Sequence, residues 1–278
     1  MSDKLKIWDP SRSWEDSEKE WDLGKEKSAG KKTLKTLKKM PKMPGITKET
    51  KKNLSWKSFK YMLSHDEKGA LRKSLAKHPF RYLYRYLCSL AKKKSFVRDG
   101  DFFLYGLETL SAFKQELEDE NSLLVVGFSY CHKPHECPSG RFSTDCIHDP
   151  KNEVCRQCFI GKSVNALPEK RCIPLFITTV HYVSEKIFDT VHAYPDRNVL
   201  FLITACEMTL KMFGDWGNIA PIKGLGVRLD GRICNTMRAF ELSEKGVKPG
   251  LTVVLDDTQK KILELIRLRR ECEAETAN

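Results

Sequence analysis

The sequence predicts an α/β fold with a mainly parallel sheet and flanking helices, preceded by a helical segment and a disordered basic N-terminal tail. Short apolar runs rich in β-forming residues alternate with amphipathic segments after Glu120. Helical periodicity begins earlier, at Leu54, and the residues before it are polar and lysine-rich. The 278 residues suffice for one core of roughly 200 residues with an extension.

Residues 1–53 are predicted to be a disordered tail, first acidic and then lysine-rich. Eleven lysines and two glutamates lie between Lys25 and Lys52, so this stretch carries +9 of the formal net charge of +12. A solvated linker is the simplest interpretation, and binding to nucleic acid or another acidic surface through phosphate contacts is the alternative. Three tryptophans recur at near-heptad intervals, which we interpret as coincidental spacing within disorder: Trp8, Trp14 and Trp21.

Residues 54–120 are predicted to be a helical region that packs on the core. One amphipathic helix begins at Pro79 and places Tyr82, Tyr86 and Leu90 on one stripe. Another helix is predicted from about Asp101 to Glu118.

Residues 121–278 are predicted to be a cysteine-rich α/β metal-binding domain with a C-terminal helix. Apolar runs predict strands at 122–128, 173–179 and 198–204, and the amphipathic segment 182–194 makes the last two a right-handed βαβ unit. The glycine-rich run 224–231 is interpreted as a tight turn. A short strand at 252–255 and a final helix over 260–273, capped by Asp256, Asp257 and Thr258, complete the domain.

The chain is predicted to be cytoplasmic. No apolar run approaches the ~20 residues that would cross a bilayer, and the N-terminus lacks the pattern of a secretory signal. A reducing compartment disfavours a disulfide framework, so the 10 cysteines indicate metal binding or thiol chemistry.

Six of these cysteines lie close together in the sequence: Cys131, Cys137, Cys146, Cys155, Cys158 and Cys172. The two residues between Cys155 and Cys158 allow both sulfurs to reach one ion. The preceding run, 130–146, follows a predicted strand and adds three sulfurs and the imidazoles of His132 and His135.

Two further cysteines look well placed despite their distance in the sequence. Cys206 lies between a strand and a helix, where the helix dipole favours a thiolate, and Cys234 follows the run GVRLDGRI. Sites in open α/β sheets lie beyond the carboxyl ends of the strands. We therefore expect Cys131, Cys206 and Cys234 to emerge at the same edge.

The succession YCHKPHEC, CRQCFIGK, ACEMTL and GVRLDGRICNT resembles the cysteine-rich bacterial and archaeal family catalogued as domain of unknown function 116, over about residues 122–257. The basic N-terminal extension differs from the apolar one of that family's membrane-anchored members. The resemblance implies an α/β fold and a metal site but no activity. The site cysteines that it implies are Cys131, Cys137, Cys155, Cys158, Cys206 and Cys234, while Cys146 and Cys172 have no counterpart.

An iron-sulfur cluster is the cofactor that we predict, because six sulfurs from four segments exceed one closed zinc site. Zinc is the alternative, and His132 and His135 would then join Cys131 and Cys137. The chain lacks a phosphate loop, a Gly-x-Ser-x-Gly elbow and a His-Glu-x-x-His motif.

Three functions follow from these patterns. The first is an intracellular iron-sulfur protein with a redox or accessory role. The second is a zinc-binding protein that contacts nucleic acid through the basic tail. The third is a metal-dependent enzyme of unknown substrate, with Glu207 or Asp230 as acid or base.

Overall fold

The computed structural model describes residues 7–9, 12–42, 45–66, 69–77, 79–91, 95–217 and 223–275. Over these ranges the protein is an α/β protein with a seven-stranded mixed sheet and twelve α-helices. The sheet pairings at its centre are parallel. Over the same ranges, no helix combines the length and apolar content that a bilayer span requires.

The strands are β1 (Val97–Asp99), β2 (Phe102–Tyr105), β3 (Ser122–Ser129), β4 (Cys172–Ile177), β5 (Asn198–Cys206), β6 (Lys223–Gly231) and β7 (Thr252–Val253). The helices are α1 (Trp14–Lys31), α2 (Lys48–Lys51), α3 (Leu54–Ser64), α4 (Ala70–Lys77), α5 (Pro79–Ala91), α6 (Leu110–Glu118), α7 (Glu153–Gln157), α8 (Phe159–Ala166), α9 (Val180–Ala193), α10 (Glu207–Gly217), α11 (Met237–Glu244) and α12 (Asp256–Glu275). The sheet order is β1-β2-β6-β5-β3-β4, with β7 paired to β6.

Helices cover both faces of the sheet. Successive strand residues point to opposite sides, so each strand can contribute apolar side chains to the core on either face. On β5, Phe201 and Ile203 join the core under α3, α9 and α10. Leu200 and Leu202 join the other core, under α1, α6, α8 and α12. Both faces of β5 are therefore buried, as in a central parallel strand.

Most elements predicted after residue 120 are confirmed. The three apolar runs form β3, β4 and β5, the segment between the last two forms α9, and the C-terminal pattern forms β7 and α12. The helices predicted at Leu54 and Pro79 are α3 and α5, and Tyr82 is buried. The side chains of Tyr86 and Leu90 lie outside the described residues.

The helix predicted from Asp101 is wrong in its first part. Phe102–Tyr105 is the buried strand β2, which pairs antiparallel with β6, and the helix begins only at Leu110. Gly106 follows the strand with a φ of 67°, a backbone conformation that favours glycine. Pairing within the sheet therefore overrides the helical spacing of the aromatic residues.

The tight turn predicted over residues 224–231 is also wrong, because these residues lie in β6, next to β5 in the sheet. Its glycines provide space for neighbouring side chains. A Cβ atom on Gly226 would lie 2.6 Å from Leu210 Cδ2 and 3.0 Å from Tyr105 Cε2.

The predicted disorder of residues 1–53 is not confirmed, because α1 is a packed helix. Trp21 is 1% exposed, and its ring centre lies 4.6 Å from the Arg156 guanidinium carbon. Arg156 donates hydrogen bonds to the carbonyls of Trp21 (3.2 Å) and Glu20 (2.8 Å). Trp8, which precedes α1, packs with its ring centre 5.4 Å from that of Trp21 and 5.8 Å from that of Trp14, so the recurring tryptophans form one packed cluster.

The residues after α1 cross the edge of the sheet where the parallel strands end. We call residues 32–42 and 45–47 the strap. Gln157 Nε2 donates to the Lys32 carbonyl (2.8 Å), Lys35 N donates to Glu136 Oε1 (3.2 Å), and Thr47 N donates to the Asn235 carbonyl (3.1 Å). The strap therefore contacts the segments that carry the predicted site cysteines.

Replacing Trp21 by alanine is expected to lower the free energy of unfolding by about 3–5 kcal/mol, because a buried aromatic side chain is lost. Chemical denaturation followed by circular dichroism measures the change. Trp56→Ala is the control: its side chain is 65% exposed, and a change of no more than about 0.5 kcal/mol is expected. Equal losses in the two variants would contradict the packing of α1.

Candidate functional site

The carboxyl ends of β3, β5 and β6 lie side by side, so the segments that follow them meet at one edge. A 3-10 turn, Tyr130–His132, continues directly from β3, and Cys206 is the last residue of β5. Cys234 follows β6 by three residues. The predicted site cysteines near this edge fall into two pockets.

The first, which we call the tetrathiol pocket, is lined by Cys137, Cys146, Cys155 and Cys158, together with Lys133. Two of these cysteines lie on the loop after the 3-10 turn, and the other two belong to α7 and its C-cap. Asn152 begins α7 by accepting hydrogen bonds from Val154 N (3.0 Å) and Cys155 N (3.2 Å). This cap fixes the helix turn that carries the Cys-x-x-Cys pair.

Burial raises the pKa of three thiols of the tetrathiol pocket, those of Cys146, Cys155 and Cys158. Burial, with a smaller contribution from neighbouring thiols of the pocket, raises the pKa of Cys155 to about 12 and that of Cys158 to about 11. Backbone N–H groups of Ile160 and Gly161 donate to the Cys158 sulfur and partly oppose this shift. A metal would therefore displace protons on binding.

Among the described residues, no three His, Cys, Asp or Glu side chains already lie close enough together to hold a single metal ion. Metal binding at the tetrathiol pocket would therefore require its thiol side chains to rotate toward one another.

Lys133 organises the loop that forms the tetrathiol pocket. The residue is 1% exposed, and its ammonium group donates to the carbonyls of Ser143 (2.8 Å), Asp145 (2.6 Å) and Gly140 (3.5 Å). Burial lowers the Lys133 pKa, while nearby Cys137, Cys146 and Cys158 favour its charge. A buried cation therefore lies beside the sulfurs.

Arg141 fixes the same loop against the end of the sheet. Its guanidinium donates to the carbonyls of Cys131 (2.9 Å), Gly250 (2.7 Å) and Lys248 (2.5 Å). Because these acceptors lie on two chain segments, Arg141 joins the cysteine loop to the residues that precede β7.

The second pocket, which we call the dithiol pocket, is lined by Cys131, Cys206 and Cys234 among mainly apolar side chains. Cys206 and Cys234 interact through their side chains, and each shifts the pKa of the other. Lys248 Nζ donates to Cys234 Sγ (3.1 Å), and Cys206 Sγ lies 3.2 Å from Thr209 Oγ1.

The two thiols of this pair differ in acidity. The hydrogen bond from Cys206 and the charge of Lys248 lower the pKa of Cys234 to about 5, although burial opposes the shift. The same hydrogen bond and burial raise the pKa of Cys206. Burial also raises the pKa of Cys131, which lies near Cys234. One thiolate, on Cys234, is therefore stable in this pocket at neutral pH.

The structure thus divides the six predicted site cysteines between two pockets. Cys137, Cys155 and Cys158 line the tetrathiol pocket, and Cys131, Cys206 and Cys234 line the dithiol pocket. The chain passes from one pocket to the other between Cys131 and Lys133.

Cys146, which has no counterpart in the resemblance, completes the tetrathiol pocket. Its place within the cysteine-dense run 131–158 was the indication in the sequence. Cys172 begins β4 at the opposite end of the sheet and interacts with Arg269.

The other candidate side chains lie outside these pockets. His132 packs against Phe159, with ring centres 5.5 Å apart, and burial lowers its pKa to about 4. Neither His132 nor His135 lines the tetrathiol pocket or the dithiol pocket. The two candidate acids form ion pairs: Glu207 with Lys211 (2.6 Å), and Asp230 with Arg228 (3.1 Å).

No family model matches the chain, and neither a curated protein nor a solved structure matches it. The resemblance to the family named above rests on its motifs and stays a prediction.

Glu244, which lines the dithiol pocket, should give the fold a measurable pH dependence. Burial raises its pKa from 4.5 to about 8, and its Oε2 accepts a hydrogen bond from Val180 N (2.8 Å). The folded state therefore holds this proton more tightly than the unfolded state, so the stabilisation is full below about pH 4.5 and is lost as the pH rises through 8. Glu244→Gln keeps an acceptor but cannot ionise.

The unfolding free energy of wild type should fall relative to that of Glu244→Gln as the pH is raised from 5 to 9. The difference between the two proteins is expected to change by on the order of 1–3 kcal/mol over this range. Chemical denaturation at several pH values measures the difference. Glu241→Gln, at an exposed position of the same helix, is the control and should track wild type. A constant difference between Glu244→Gln and wild type across this range would contradict the assignment.

Proposed function

We propose that the protein binds an iron-sulfur cluster through Cys137, Cys146, Cys155 and Cys158 and serves as an intracellular redox or accessory protein. The observation that carries the proposal is that these four cysteines line one pocket beside the buried Lys133. Thiolates are the usual ligands of iron-sulfur clusters, and four of them complete a common ligand set.

The surroundings of the tetrathiol pocket suit a negatively charged centre. Amide groups of Ile160 and Gly161 donate to the Cys158 sulfur, and the Lys133 ammonium lies near three of the four thiols. Hydrogen bonds and nearby positive charge both stabilise thiolates and influence the reduction potential of a cluster. A bound cluster would supply one-electron chemistry.

The proposal uses four of the seven cysteines at this edge of the sheet. Cys131, Cys206 and Cys234 are left out because they line the dithiol pocket and contact each other or Lys248 there. The ligand set is therefore narrower than the six implied by the family resemblance, and it includes Cys146.

Zinc stays the alternative cofactor of the tetrathiol pocket, whereas the nucleic-acid hypothesis has less support. The tetrathiol pocket would also suit zinc, so metal analysis decides between the two cofactors. The described lysines between Lys25 and Lys52 lie on α1, the strap and α2. No described contact indicates a partner for them, and the ion pairs of Glu207 and Asp230 favour structural roles over acid–base catalysis.

Anaerobic purification or reconstitution should yield a brown protein that contains both iron and acid-labile sulfide. Cys146→Ser should lose most of the bound iron because one of four ligands is removed, and Cys172→Ser is the control that should retain it. Elemental analysis and visible absorption measure the outcome. Retention of iron by Cys146→Ser would contradict the ligand set. A colourless protein that binds zinc through the same four cysteines would show that the cofactor is zinc and not an iron-sulfur cluster.

Lys133→Met is expected to lower the unfolding free energy by about 2–4 kcal/mol, because carbonyls that accept from the buried ammonium lose their donor. The variant should also retain less metal. Lys151→Met, at an exposed position, is the control and should change stability by no more than about 0.5 kcal/mol. Equal behaviour of the two variants in chemical denaturation would show that Lys133 does not organise the loop.

A further inference from the structure

The dithiol pocket contains a pair of cysteines, Cys206 and Cys234, that are not ligands in the proposed metal site. We propose that Cys206 and Cys234 form a redox-active dithiol that exchanges with low-molecular-weight disulfides. This activity is separate from the tetrathiol pocket and does not depend on the metal that binds there.

The fold brings the two cysteines to one pocket. Cys206 ends β5, and β5 pairs in parallel with β6, so that Cys206 lies opposite Leu229. Cys234 follows β6 and precedes α11. Both side chains line the dithiol pocket, and each shifts the pKa of the other. Disulfide formation requires closely spaced cysteines whose side chains point toward each other.

Charge in the pocket sets this pair apart from ordinary buried cysteines. An inert buried thiol has a raised pKa, as Cys131 does. Cys234 receives hydrogen bonds from Lys248 and from Cys206, and these stabilise negative charge on its sulfur. The pair therefore carries one proton, held by Cys206 and shared with Cys234.

Exposure determines which sulfur meets the substrate. Cys234 is 3% exposed, whereas Cys206 is partly exposed. Transfer of the shared proton from Cys206 to Cys234 gives a thiolate on Cys206, the more exposed residue of the pair. The thiolate is the nucleophile in thiol–disulfide exchange.

The exchange then takes two steps. Cys206 attacks one sulfur of the substrate disulfide, so a Cys206–substrate S–S bond forms, the substrate S–S bond breaks and one thiolate departs. Cys234 gives its proton to that thiolate and attacks the Cys206 sulfur, which forms the Cys206–Cys234 disulfide and expels the second substrate fragment as a thiolate. Two electrons pass from the protein to the substrate, which leaves as one thiol and one thiolate.

The pocket favours a small disulfide over a folded protein. The sulfurs lie in a recess whose walls include Ile177, Val183 and Phe213. A compact substrate fits such a recess, whereas a disulfide held in a folded surface cannot approach Cys206 as closely.

The test equilibrates the full-length protein with mixtures of glutathione and glutathione disulfide, traps free thiols by alkylation and maps the peptides by mass spectrometry. Cys206 and Cys234 should lose alkylation together and appear as one cross-linked pair, and dithiothreitol should reverse this. The metal content, measured on the same samples, should stay constant, so failure of the metal site and failure of the dithiol are distinguishable.

Three variants sharpen the test. Cys234→Ser should trap one glutathione on Cys206, because the second step is blocked, and Cys206→Ser should form no disulfide with Cys234. Cys88→Ser, in α5, is the control and should behave as wild type.

The proposal is overturned if Cys206 and Cys234 both stay alkylatable at every glutathione ratio. It is also overturned if Cys131 cross-links to Cys234 in place of Cys206. A third contrary result is a bound metal that protects both thiols from alkylation in wild type and is lost in Cys206→Ser.

Discussion

The parallel register of β3, β5 and β6 is the constraint on which both cysteine pockets depend. Phe128 of β3 lies opposite Thr204 of β5, and Thr204 lies opposite Val227 of β6. Thr204 Oγ1 also accepts a hydrogen bond from Ser129 N (3.2 Å) at the end of β3. Because the strands end together, residues far apart in the sequence meet at one edge, as is usual for sites in α/β sheets.

Buried cations stabilise the irregular chain above that edge. The loop from Lys133 to Asn152 has no regular secondary structure, so its carbonyls need other donors. Lys133 and Arg141 provide several of them. The positive charge that organises the loop also lies where thiolates would form, which links loop stability to metal binding.

Local pattern was sufficient for β3, β4 and β5, because these strands are apolar runs between polar segments. Local pattern was insufficient for β6. There Gly226 leaves space for the side chains of Leu210 and Tyr105 and does not form a turn. The positions of Cys131 and Cys206 after predicted strands were enough to expect them, with Cys234, at one edge of the sheet, and these three line one pocket. The division of the predicted site cysteines into two pockets was not readable from the sequence, because it depends on the path of a loop held by long-range hydrogen bonds from side chains to the backbone.

The packing of α1 against α7 has a consequence for synthesis of the chain on the ribosome. Trp21 and its partner Arg156 are 135 residues apart, and Trp8, whose carbonyl accepts from Arg270, is 262 residues from that partner. At about 5–20 residues per second, the first interval alone lasts on the order of ten seconds. Trp21 therefore cannot pack on Arg156 until α7 has been synthesised, so α1 docks on the rest of the fold late in synthesis.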